Sequence, residues 1–376
     1  MKWLFVIPCL WLSLGWFCYG VQAAPLQEPT VSAQSAVVID GFTGEVLFEK
    51  NADQQRSMAS TTKIMTTLLA LEQNDPNREI VTTKEMVTVE GSGMGLLAGD
   101  HVTLQGLCYG MMLASGNDAA NTVALSLSNS FEEFAEKMNQ KAKQIGMRNT
   151  RFVTPSGLDA DGHYSTAYDM ATLMQYALNN PDFCKISQTV STRVTYGNPP
   201  YERKLTNHHR LLKEYDGCLG GKTGFTKKSG RCLVTAARRN GATLICVTLS
   251  APDDWNDHKS LLDYGFAQME SVTISPRAFD LPVVGGTVPK IPVTYQALQV
   301  SIPSAHRSKL SVQTQIAPFL YAPIEADETV GIQGVFFDGR LLMSTPITAV
   351  DSAKQLPPAP SFWEQFWQNL CRWLLP

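Results

Sequence analysis

The sequence predicts an α+β fold: one antiparallel sheet covered by helices, then a small all-β module and a terminal amphipathic helix. Three observations predict it. Strand-like alternation opens and closes the first 270 residues, and helical periodicity fills their middle. From about Ser271, proline and glycine punctuate short alternating segments.

At the start, "SAVVIDGFTGEVLFEKNAD" alternates around "DGFTG", the signature of a β-hairpin. Helical spacing then dominates from Thr61 to about Ala177, in "LQGLCYGMMLAS", "AANTVALSLS" and "FEEFAEKMNQKAKQIG". The chain turns extended from Thr189 to Thr206, and "CLGGKTGFT", "GRCLVTAARRNG" and "ATLICVTLSAP" read as consecutive strands. A helix over "DHKSLLDYGFAQME" closes a domain expected at 25–270. "VPKIPVTY", "KLSVQTQI", "VGIQGVFFDGRLLMS" and "PITAV" build a β-rich module at 271–352. Residues 353–360, which include "QLPPAP", form a stiff proline linker.

In "SFWEQFWQNLCRWLLP" (361–376), Phe362, Trp363, Phe366, Trp367, Leu370, Trp373 and Leu374 fall on one helical face, with polar residues opposite. That length is too short to span a bilayer and suits its interface, where tryptophan is favoured. The alternative is a helix docked on the protein's own core, which the preceding linker disfavours.

The chain has 376 residues, with 31 basic against 34 acidic and no basic run, which excludes nucleic acid as a partner. Residues 1–24 carry a lysine, an apolar stretch and then small residues, the pattern of a secretory signal peptide cleaved after Ala23 or Ala24. A retained membrane anchor is the alternative. Export to the outer face of the cytoplasmic membrane is expected. Beyond that leader stand Cys108, Cys184, Cys218, Cys232, Cys246 and Cys371, whose spacings fit no zinc pattern. Neither a metal nor another cofactor is expected, and no disulfide is assigned.

Chemistry is carried by three short patterns. "STTK" places Ser60 and Lys63 three residues apart, on one face of a helix, so that an amine can reach a hydroxyl. "SGN" spans Ser115 to Asn117 at the end of a helical pattern, and "KTG" spans Lys222 to Gly224 inside a strand. Each is weak alone. In this order they form the set of the penicillin-binding proteins and class A β-lactamases.

From about Ala36 to Met269 the chain resembles the penicillin-recognising serine acyl-enzymes. "LLAGDHVTLQGLCYGMMLASGNDAANTVA", "FVTPSGLDADGHYSTAYDMATLM" and "NHHRLL" look like the low-molecular-mass D-alanyl-D-alanine carboxypeptidases. The resemblance implies a β-lactamase/transpeptidase-like domain with a helical subdomain, and extends to the β-module and tail. It implies Ser60 as nucleophile, Lys63 as its neutral base and Ser115 as a proton relay. Asn117 would bind the substrate amide, and backbone N–H groups of Ser60 and Phe225, just after Gly224, would hold the oxyanion. Lys222 and Thr223 would meet the terminal carboxylate of a peptidoglycan stem peptide ending in D-Ala-D-Ala. β-Lactams, which mimic that ending, would acylate the same serine.

The chain departs from the family in two places. Phe225 stands where many members have histidine, and "SAPDDW" stands where others carry an arginine that assists the carboxylate. The grip on the carboxylate is therefore expected to fall on Lys222 and Thr223. The region "GLDADGHYSTA" lacks the glutamate that activates water in class A β-lactamases. His163 in it is read as loop packing or catalysis, and "YGN" at Tyr196 to Asn198 as a hairpin tip rather than a tyrosine base. The expected activity is a serine-type D-Ala-D-Ala carboxypeptidase. A β-lactamase or D,D-endopeptidase uses the same acyl-enzyme, and a non-catalytic peptidoglycan-binding protein is the reading from another class.

Overall fold

The computed structural model describes residues 26–374. The expected leader at 1–24 lies outside them. The opening hairpin forms β1 (Ser35–Asp40) and β2 (Val46–Lys50). A single 3-10 turn, Ala59–Thr62, leads into α1 (Lys63–Leu71). The next segment holds β3 (Glu79–Val81), α2 (Lys84–Val87), β4 (His101–Thr103), α3 (Leu104–Leu113), α4 (Asn117–Leu127) and α5 (Phe131–Gln144). It continues with α6 (Ala167–Ala177) and α7 (Pro181–Gln188). Thr103, Ser130, Thr166 and Asn180 cap α3, α5, α6 and α7 by accepting backbone N–H bonds on their side chains, which satisfies donors that a helix start leaves unpaired.

The chain then forms β5 (Ser191–Gly197), β6 (Pro200–Thr206), α8 (Leu211–Glu214), β7 (Cys218–Thr226), β8 (Gly230–Arg239), β9 (Ala242–Leu249) and α9 (Asp254–Ala267). The main sheet runs β2-β1-β9-β8-β7 and is antiparallel throughout. Its two faces are both covered. Val37, Ile39, Val234 and Val247 pack with Met65, Leu68 and Met111 of the helical side, while Val38, Leu233 and Leu244 pack with Leu261 and Leu262 of α9. Alternation with period two makes this sorting possible. "KTG" lies on β7, the edge strand, so its outer side is open to a ligand.

The hairpin of β5 and β6 does not join that sheet, contrary to the single sheet expected. It pairs with β4 and β3 in a separate four-stranded sheet, order β3-β4-β5-β6. Strands of three residues carry too little alternation to show in the sequence.

Beyond α9, β10 (Met269–Ile274) begins two residues before the expected boundary. The strands that follow are β11 (Phe279–Val284), β12 (Lys290–Tyr295), β13 (Leu298–Pro303), β14 (Leu310–Ile316), β15 (Leu320–Tyr321), β16 (Thr329–Phe337) and β17 (Arg340–Ala349). β10 pairs with β13, and the rest form a sheet of order β14-β16-β17-β12-β11-β15 with apolar clusters of their own. Polar contacts tie this part to the first: Ser301 Oγ donates to Asn240 O at 2.7 Å, Ser304 N to Gln268 O at 2.9 Å, and Lys309 pairs with Glu45.

The last helix, α10 (Phe362–Leu374), is capped by Ser361, whose Oγ accepts from Glu364 N while its own N–H donates to the Glu364 carboxylate. Phe362, Trp363, Phe366, Trp367 and Trp373 are exposed. Among the described residues no helix is long and apolar enough to cross a membrane.

Candidate active site

Ser60 sits on the 3-10 turn rather than on an α-helix, and the backbone around it is unusual. Ala59 takes φ +47°, a left-handed conformation that costs an alanine about 1–2 kcal/mol. Two glycines let neighbours close on this turn. A Cβ at Gly157 would lie 1.9 Å from Ala59 O, and one at Gly224 would lie 3.1 Å from Ser60 N. The 154–158 loop and strand β7 therefore both press against the serine.

Lys63 Nζ stands 2.9 Å from Ser60 Oγ. It also donates to Asn117 Oδ1 at 2.7 Å and to Ser156 O at 2.6 Å. A neutral amine has two N–H bonds and one lone pair. With both N–H bonds directed at fixed acceptors, the lone pair is left for the Ser60 hydroxyl. The electrostatics agree: burial, and then the charge of Lys222, hold Lys63 well below the usual lysine value, while Asp118 opposes them.

Lys222 Nζ donates to Ser115 Oγ at 3.0 Å and to Thr223 O at 2.8 Å, and burial pulls its pKa down to about 7. Ser115, at φ +58°, occupies the connection between α3 and α4. Its hydroxyl thus faces the cleft beside Lys222.

Asn117 Oδ1 receives Lys63, and its Nδ2 donates to Glu90 O at 2.7 Å. Asp118, buried beside it, was not foreseen from the sequence. Its Oδ1 accepts from Met94 N and Ala119 N, and its Oδ2 from Gly95 N and Leu96 N, all between 2.8 and 3.0 Å. One carboxylate thereby pins the 92–96 segment against the start of α4, and Asn117 N donates to Ser92 O at 2.8 Å.

His163 is a bracket. Its Nδ1 accepts from Val153 N at 2.9 Å, so its Nε2–H donates to Thr62 Oγ1 at 3.0 Å. Burial lowers its pKa to about 4, which keeps it neutral. It ties the loop to the turn carrying Ser60. "YGN" ends β5 at a hairpin tip, with Tyr196 buried and its hydroxyl donating to Met94 O.

A cavity of about 460 Å³ opens over this cluster, lined by Ser60, Ser92, Ser115, Thr223, Gly224 and Phe225, and continues to His208, Arg210, Arg231, Asp254 and Trp255. The structure gathers Ser60, Lys63, Ser115, Asn117 and Lys222 around this cavity as two hydrogen-bonded groups, Lys63 with Ser60 and Asn117, and Lys222 with Ser115. Asn117 accepts from Lys63 and donates to Glu90 O. Lys222 is buried and donates to Ser115 Oγ, and of the residues expected at the substrate Thr223, Gly224 and Phe225 line the cavity.

A sequence profile described as D-alanyl-D-alanine carboxypeptidase matches residues 22–253. The chain belongs to this family. The carboxypeptidase DacF of Bacillus subtilis is 32% identical over 338 residues, covering 86% of each chain. The crystal structure of the carboxypeptidase DacD from Francisella tularensis superposes with a TM-score of 0.62 at 27% identity, covering 89% of this chain and 97% of that one. Penicillin binding protein 5 from Haemophilus influenzae gives 0.62 at 26% identity, covering 88% and 99%. Their mixed architecture matches the transpeptidase-like domain and β-module described above. The carboxypeptidase is accordingly a serine hydrolase of the cell wall and binds penicillin.

Proposed function

We propose that the enzyme removes the terminal D-alanine of peptidoglycan stem peptides through an ester on Ser60. The observation that carries this is Lys63, whose two N–H bonds are spent on Asn117 Oδ1 and Ser156 O while Ser60 Oγ lies 2.9 Å away. Ser60 Oγ attacks the carbonyl carbon of the penultimate D-alanine and passes its proton to Lys63. The N–H groups of Ser60 and Phe225 take the negative oxygen. Ser115 hands a proton to the departing amine, and D-alanine leaves. Water then cleaves the ester.

β-Lactams form the same ester. Asp254 is the only carboxylate among the cavity's lining residues, and Arg231 engages it. With no free carboxylate base beside Ser60 among the described residues, the ester from a β-lactam persists, which separates this chain from a β-lactamase. Release of D-alanine from an acyl-D-Ala-D-Ala peptide by the full chain tests the proposal. Absence of release would overturn it.

The enzyme acts on the outer face of the cytoplasmic membrane, exported by residues 1–24 and held by α10. The exposed aromatic face of that helix supports this, since each side chain fully buried contributes about 1.5–3 kcal/mol. Deleting residues 361–376 should free the protein from membranes at any salt concentration and leave acylation unchanged. Retention of the truncated form would oppose the assignment.

A further inference from the structure

Lys222 is buried and already donates to Ser115 Oγ and Thr223 O, so the exposed positive charge on the cavity wall comes from arginines. Arg231 lies on β8 directly across from Phe225, and Arg210 precedes α8. The two guanidinium carbons each lie 5.7 Å from the ring of Trp255. Both arginines are held the same way. Arg231 gives Nε and Nη2 to Asp254 Oδ1 at 2.9 and 2.8 Å, and Arg210 gives Nε and Nη2 to Glu214 Oε1 at 3.0 and 2.9 Å. Lys259 shares Glu214 at 3.0 Å.

A guanidinium has two edges that can each meet a carboxylate. Here the inner edge is spent on a protein acid, and Asp254, itself buried, fixes Arg231 firmly. Both arginines line the cavity shared with Ser60 and Thr223, and the edge not spent on the acid remains for a ligand there. An arginine also stays charged at every working pH, whereas burial leaves Lys222 only partly charged near neutrality.

We propose that Arg231, with Arg210 beside it on Trp255, takes the terminal carboxylate of the peptide, with the Thr223 hydroxyl as the neutral partner. The anionic end of the substrate is thus read from β8 and the segment before α8, and these two arginines are specificity-determining residues of this chain. This rests on the carboxypeptidase reading above.

The test is the ratio of kcat/KM for an acyl-D-Ala-D-Ala peptide to that for its C-terminal amide, in wild type and variants of the full chain. Arg231→Gln alone strands a buried carboxylate, so Arg231→Gln/Asp254→Asn removes the pair together. Arg210→Gln and Arg231→Lys accompany it. The wild type should favour the acid. Losing Arg231 should lower the acid rate about tenfold or more, leave the amide rate within about twofold, and so collapse the ratio; Arg231→Lys should fall between. An unchanged ratio in both arginine variants, including equal loss on both substrates, would reduce the pair to a structural feature and overturn the proposal. A wild type indifferent to acid or amide would do the same. If the wild type released D-alanine from neither peptide, the carboxypeptidase reading itself would fall, a result distinct from the others.

Discussion

Asp118→Asn removes one charge and one acceptor from the residue that pins the 92–96 segment. The carboxylate receives four backbone N–H groups, two on each oxygen. An asparagine keeps one oxygen and points an amide nitrogen at the other two donors. Each such bond to a charged group is worth about 1.5–3 kcal/mol, so the loss should be about 3–6 kcal/mol. Tyr196 and Arg203, which donate to Met94 O and Gly95 O, limit how far the segment can relax. Function should change as well, since Ser92 lines the cavity and Ser92 O receives Asn117 N. Asp118 also raises the pKa of Lys63, so its removal should move the rising limb of acylation toward lower pH. Urea unfolding gives the first quantity, and penicillin acylation rates across pH give the others. A loss under about 1 kcal/mol with an unmoved limb would refute the clamp.

Lys222→Gln should move the same limb in the opposite direction, toward higher pH, because the charge that depresses Lys63 is gone; an unmoved limb would show that burial alone sets it. Lys63→Arg puts a permanent charge where the buried amine is neutral and cannot take the Ser60 proton, so penicillin acylation should be lost and the melting temperature should fall. Near wild-type acylation would assign Lys63 to structure. Gly157→Ala puts a Cβ 1.9 Å from Ala59 O at φ +84°, and should displace the Ser60 turn and slow acylation more than tenfold. Wild-type kinetics in that variant would mean the loop does not set the serine.

Ser60, Lys63, Ser115 and Lys222 were legible in the sequence because their chemistry is tied to short spacings that survive any packing detail. The main sheet was legible too, since β7, β8 and β9 each run eight residues or more, and β8 and β9 are apolar runs bounded by turn residues. What escaped was set by distance along the chain. Arg231 meets Trp255 only once β8 is folded beside α9, and Arg210 reaches the same ring from before α8. Asp118 directly follows "SGN", yet its partners Met94, Gly95 and Leu96 are visible only when the 92–96 segment lies across α4. The hydrogen-bond partners of Asn117 and Lys222 depend on burial, which their residue types alone do not show. β3 and β4, three residues each, are too short to show a period.

The central claim is that Ser60 is the nucleophile, and it is tested most directly by mass spectrometry of the full chain after incubation with penicillin. A single covalent adduct mapping to Ser60 is expected, absent in Ser60→Ala although that variant folds with a wild-type melting temperature. An adduct on any other residue, or undiminished labelling of the Ser60→Ala protein, would contradict it.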